Sequence, residues 1–333
     1  MIERTERLTY VDMVRGIAIL LVIAGHLISK NCYNSEGGSG AVMFINSFHV
    51  PIFFAISGFI SQKVYKPLVS LKDVGNFIVK KAKLLLIPLF MWDLIVYNYF
   101  LRNSWKLLSF DDLVNEVVQP KLWFLMTLFL LFVSYSFFSY LNYKFNERKL
   151  FIRDIVILLV VSCLCLLYYA AHLEVQRVLL YTPYFYMGVL ISKYDFIWNL
   201  VFNDYVFCIS FFLFCMLVGH WDSRSGTNIY DIIKNIVDPC AFIVILNVCK
   251  KYESIKVSKI ISKWGRYSLE IYVAHWCLIS ICSMWSLNLS NVNEIWLFLL
   301  AIVLSVPIVY SCIGLAKIIE VSPVTRLIIY GRM

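Results

Sequence analysis

Arg15 and His26 stand eleven residues apart in an otherwise apolar run, Asp12-Met-Val-Arg15-Gly-Ile-Ala-Ile-Leu-Leu-Val-Ile-Ala-Gly-His26. Eleven residues of α-helix return nearly to the same face, displaced by roughly 16 Å along the axis. One face then carries a guanidinium at one depth and an imidazole at another. Asp12, three residues before Arg15, is placed to pair with it. Imidazole exchanges a proton near neutral pH better than any other side chain. His26 is therefore a candidate general base for a substrate hydroxyl. The competing reading is a histidine bonded to a neighbouring helix's backbone, a common use of polar residues between membrane helices.

His26 has company. The second apolar run begins Asn46-Ser-Phe-His49-Val-Pro51 and continues to Ser57-Gly58. Antiparallel neighbours would bring His49 to the level of His26. Pro51 suits a first helical turn, and Ser57 and Gly58 allow close helix contact. No carboxylate or cysteine has ligand spacing beside the two imidazoles, so no metal is expected there. Lys80, Lys81 and Lys83 precede Leu84-Leu-Leu-Ile-Pro88, either as a phosphate clamp or as an anchor on lipid headgroups. Trp123 follows Lys121 at the start of another run. Glu270 and His275 lie five residues apart in a later one, and Asp231, Lys234 and Asp238 share a helix face suited to a buried ion pair.

The elements that must position these groups are membrane helices. Of 333 residues, 61% are hydrophobic and 15% charged, with a mean hydropathy of +0.76. These values exclude a disordered chain, a collagen-like fibre and an ordinary cytosolic enzyme. They predict an all-α polytopic bundle of about ten transmembrane helices in a single domain, 1–333. The spans fall near 9–29, 41–61, 84–101, 121–141, 152–171, 177–192, 199–218, 229–249, 267–287 and 295–319. With both termini cytoplasmic, the outer segments hold only Lys30, Arg102, Lys106, Lys121, Arg177 and Arg224 of the 30 Lys and Arg. That asymmetry follows the positive-inside rule, so the net charge of +9 belongs to loops and does not imply nucleic acid. Nine of the ten Cys lie in apolar stretches and are expected to act as buried small hydrophobes.

Together these residues resemble the acyltransferase-3 family of integral membrane acyltransferases. The first span matches in Asp12, Arg15-Gly-Ile-Ala and His26, and the second in Phe48-His49-Val-Pro51 through Ser57-Gly58-Phe. Lys80 to Pro88 is similar to the family's basic segment, with lysines where arginines are usual. Lysine meets phosphate as a point charge, without the bidentate fork. Trp123-Phe-Leu, Tyr186-Met-Gly188 and Ser268-Leu-Glu270-Ile-Tyr272 to His275 match later landmarks. The chain ends soon after span 10, so no fused esterase-like domain is expected.

The resemblance implies a membrane O-acyltransferase. It would move an acyl group, most often acetyl, from cytoplasmic acetyl-CoA to a hydroxyl of an extracytoplasmic or lipid-linked glycan. Surface polysaccharide and lipopolysaccharide are the usual acceptors, and the bacterial cytoplasmic (inner) membrane is the implied location. His26 would be the general base or a transient acyl carrier, and Arg15, oriented by Asp12, would lie on the donor path. His49 would orient the acceptor or stabilise an oxyanion, while Lys80, Lys81 and Lys83 would meet CoA phosphates. Trp123, Glu270 and His275 would bind substrate. Two rival classes stay open: a transporter or flippase for a lipid-linked glycan, and a non-catalytic partner of a polysaccharide synthase. Transporters often carry a two-fold repeat, and no internal repeat is visible here.

Overall fold

The computed structural model describes residues 8–32, 39–64, 67–93, 122–144, 153–154, 176–220, 228–282 and 292–332. Among the described residues the chain is helical, with no strand. Nearly all of the expected fifth span, the end of the third, and Lys121 lie outside the described residues.

The helices are α1 Thr9–Leu27, α2 Gly40–Asn46, α3 His49–Val64, α4 Leu71–Phe90, α5 Trp123–Lys144 and α6 Gln176–Lys193. They continue as α7 Asp195–Val201, α8 Asp204–Leu217, α9 Asn228–Lys251, α10 Lys256–Arg266, α11 Ser268–Cys282, α12 Glu294–Ile319 and α13 Pro323–Tyr330. Four stretches are long and apolar enough to cross a membrane: Thr9–Lys30, Gly40–Val64, Trp123–Lys144 and Glu294–Ile319. The pair Asp195–Val201 and Asp204–His220, bent by 59°, makes a fifth if it is one broken span. The protein is thus a multi-pass, all-helical membrane protein.

Packing divides the chain into two compact units, Met1–Val64 with Met187–Gly314, and Tyr65–Tyr186 with Leu315–Met333. In the first unit α1 lies at the centre, with Val14, Ala18, Ile19, Ile23 and Ala24 fully buried. α1 and α10 meet backbone to backbone. A Cβ on Gly16 would strike the Ile261 carbonyl, and one on Gly265 would strike the Asp12 carbonyl. Glycine at both positions permits this approach. Gly188 is a third such point, set against the Ala55 carbonyl of α3. At the far end Glu294, which opens α12, accepts from the Ser39 hydroxyl and from the Ala41 N–H (2.9 Å).

In the second unit the core is aromatic: Phe77, Phe132, Tyr135, Phe138, Phe185 and Tyr186 are all buried. α4 differs from the expected third span. It begins at Leu71, where Ser70 and Asp73 form a capping box, so Lys80, Lys81 and Lys83 sit within a continuous helix. α13 ends at Gly331 in the left-handed region (φ 63°), pressed against the Lys83 carbonyl. The cysteines divide: Cys240, Cys249 and Cys312 are buried as expected, whereas Cys208 and Cys215 are exposed on α8.

Candidate active site

α1 and the chain from α10 into α11 run side by side from the glycine crossing. Ten residues past Gly16 comes His26, and ten past Gly265 comes His275. The two imidazoles stack, with ring centroids 5.4 Å apart and planes inclined by 28°. Trp276 closes on His26 at 4.6 Å. Above Trp276 lies the Lys30 ammonium, 5.0 Å from the ring.

The hydrogen bonds fix two of the imidazoles. His275 is fully buried, and its Nδ1–H donates to the Tyr272 carbonyl at 2.5 Å. That leaves Nε2 as the lone-pair nitrogen, without a hydrogen-bond partner among the described residues. His49 is also buried, and its Nδ1–H donates to the Ile45 carbonyl at 2.8 Å. Gly25, next to His26, packs against the Ile45 side chain, which brings the start of α3 to the level of His26. His26 itself is half-buried and makes no hydrogen bond to a described residue.

The polar framework around them is buried too. Glu270, five residues before His275, is fully buried on α11. Lys234 pairs with the fully buried Asp238 (3.4 Å) and donates to the Ser47 carbonyl (2.9 Å). This ties α9 to the turn that precedes His49. On α1, Arg15 lies 4.0 Å from Asp12, which is buried while Arg15 is half-buried. Asp12 and Arg15 stand at the α10 crossing, and His26 stands three turns further along α1.

The remaining candidates belong to the second unit. Lys81 is buried, with its ammonium 3.5 Å from the Phe132 ring centroid and 5.4 Å from that of Phe77. Lys80 and Lys83 are exposed. The three lysines therefore do not act as one cluster, because one turn of helix sends 81 inward and 80 and 83 outward. Trp123 stacks on Tyr181 (5.6 Å, 20°), and the Arg177 guanidinium lies 4.8 Å from its ring.

Sequence reasoning missed Trp276 and Lys30. Both had a signal: Trp276 adjoins His275, and Lys30 is one helical turn from His26. It also missed the Gly16–Gly265 crossing, a pairing across 249 positions that no local pattern encodes. Among the described residues no group of His, Cys, Asp and Glu is arranged to hold a metal.

His26, His49 and His275, each buried or half-buried, thus stand on three helices of the first unit. The chain belongs to the acyltransferase-3 family, whose acyltransferase domain matches residues 8–314. It is similar to nodulation protein NolL of Mesorhizobium japonicum, 25% identical over 190 residues, covering 55% of this chain and 47% of the relative. It is also similar to nodulation protein NolL of Sinorhizobium fredii, 29% identical over 140 residues, covering 39% of this chain and 37% of the relative. Each match thus spans less than half the length of the relative. No solved structure matches.

Proposed function

We propose that this protein is a membrane O-acetyltransferase that uses acetyl-CoA from the cytoplasm and acylates a hydroxyl of an extracytoplasmic or lipid-linked glycan. The observation that carries the reading is His26: a half-buried imidazole with no hydrogen bond among described residues, stacked on His275 and packed against Trp276. A sugar hydroxyl is a poor nucleophile until a base removes its proton. His26 takes that proton as the hydroxyl oxygen attacks the thioester carbon. The O–C bond forms, the C–S bond breaks, and the proton returns to the departing CoA thiolate.

The buried histidines support this chemistry through their tautomers. In neutral His26, one nitrogen accepts and the other donates. Nδ1–H of His275 and of His49 is committed to backbone, which fixes both rings for orienting the acceptor. Donation to an oxyanion through Nε2 would require protonation of either ring, so we assign the two residues to acceptor orientation. Glu270 belongs to the same acceptor wall. Asp12 orients Arg15 on the donor path. Lys80 and Lys83, both exposed, are available to donor phosphates, whereas Lys81 packs on aromatic rings. Trp123 would offer a sugar only the part of its ring that Tyr181 leaves open.

The positive-inside distribution of Lys and Arg supports ten spans with cytoplasmic termini, and membership of the family supports placement in the bacterial cytoplasmic membrane. The test uses membranes holding the protein or its His26→Ala variant, labelled acetyl-CoA and the host's glycan-lipid fraction. Label passes to glycan with the intact protein and not with the variant. Glycan transport or synthase assembly that survives His26→Ala, with no acetyl transfer by either form, would favour the rival classes.

A further inference from the structure

The first unit has a second cluster, at the opposite end of α1 from His26. Lys63 in the last turn of α3, Trp198 on α7 and Lys250 at the end of α9 converge on one indole. The Lys250 ammonium lies 4.2 Å from the Trp198 ring centroid and 3.9 Å from that of Phe202. The Lys63 ammonium lies 5.4 Å from the same indole. Phe202 and Phe59 pack on Trp198, at 4.3 and 5.9 Å.

Two like charges on one ring are unfavourable unless something offsets them. Among the described residues neither ammonium has a carboxylate within ion-pair distance. Burial holds the Lys250 ammonium below the usual lysine range; Glu253 opposes this and Lys63 adds to it. The aromatic faces orient the ammonium groups without discharging them. Three elements thus bring two ammonium groups to one indole, with Glu253 acting on Lys250 from beyond ion-pair distance. A phosphate ester or diphosphate, with several oxygens for two point charges, is the fitting ligand.

The cluster also connects to the proposed donor path. Tyr10 packs on Phe59 at 6.4 Å, and Phe59 stacks on Trp198. Rings therefore run from the cation pair to the first turn of α1, beside Asp12 and Arg15. From Tyr10 to His26 is sixteen residues of helix, roughly 24 Å. A donor with a phosphate-bearing head and a long thin arm would span that distance.

We propose that Lys63 and Lys250, held over Trp198, seat phosphate groups of the acyl-CoA donor. This rests on the acyltransferase reading above. The same chemistry would meet a lipid headgroup, so the experiment separates the two sources. Full-length protein in neutral phosphatidylcholine nanodiscs is titrated with CoA and with 3′-dephospho-CoA. The variants are Lys63→Gln with Lys250→Gln, and, as a charge-matched control, Lys256→Gln with Lys259→Gln. The first pair weakens CoA binding about tenfold or more. It also raises the donor KM in the transfer assay while kcat stays near wild type, which shows that the variant is folded. The control stays within about twofold, as expected for exposed charges that touch no ligand.

Equal CoA affinity of wild type and the Lys63/Lys250 variant would overturn the seat and leave the acyltransferase reading standing. So would a variant altered only in its response to added phosphatidylglycerol, which would assign the cation pair to lipid. A wild type that neither binds CoA nor transfers acetyl would overturn both.

Discussion

His49 and His275 each give their Nδ1–H to a carbonyl three or four residues earlier, whereas Lys63 and Lys250 rest their ammonium groups on aromatic faces. The two groups occupy opposite ends of the same unit. At the imidazole end, directional hydrogen bonds fix tautomer and ring plane, and buried side chains hold each residue in place. At the ammonium end, cation–π contacts of about 0.5–2 kcal/mol leave long side chains free to adjust. Proton transfer needs a geometry fixed to a fraction of an ångström, whereas binding a polyphosphate needs charge at roughly the right distance. Under the proposed function, the difference suits one end to chemistry and the other to recruitment.

The comparison breaks most visibly at His26. His26→Ala should lower the transfer rate roughly 10³-fold, within the range for loss of a general base, while CoA binding in nanodiscs stays unchanged. Next comes His275. His275→Asn keeps a donor near Nδ1 and loses Nε2, so transfer should fall roughly 10²-fold, and His275→Gln, which restores a polar group near Nε2, should do less damage. A steady-state assay with the two variants side by side decides it.

Gly265→Ala acts on neither end but on the crossing of α1 and α10. Its Cβ would enter the Asp12 carbonyl, and the overpacking should cost about 1–3 kcal/mol, read as a lower melting temperature in detergent. Lys63→Gln with Lys250→Gln should move only donor KM, about tenfold. Trp276→Leu should produce the smallest change, a loss of roughly fivefold in kcat as the His26 ring loses its aromatic wall.

The sequence carried the imidazole end well, because its residues lie on strongly apolar runs where each polar side chain stands out. His26 and His49 were legible in that way, and at the α10 crossing so was the Asp12–Arg15 pair from its i, i+3 spacing. The Lys234–Asp238 pair was legible from its i, i+4 spacing. Four of the expected spans coincide with long apolar helices. The α4 start was misplaced because its first half is polar, although Ser70 and Asp73 mark the cap. The inward turn of Lys81 escaped because basic residues next to each other read alike until a helix face is fixed. The ammonium end escaped for another reason. Lys63, Trp198 and Lys250 are each ordinary residues at helix ends, and only tertiary packing brings them onto one ring.

The most direct measurement is acetyl transfer itself. Membranes with intact protein, and membranes with equal amounts of folded His26→Ala protein, are given labelled acetyl-CoA and host glycan lipid. The expected result is labelled glycan from the intact protein and roughly a thousandth of that rate from the variant. Equal labelling by the two would contradict the assignment of His26 as the base on which the account rests.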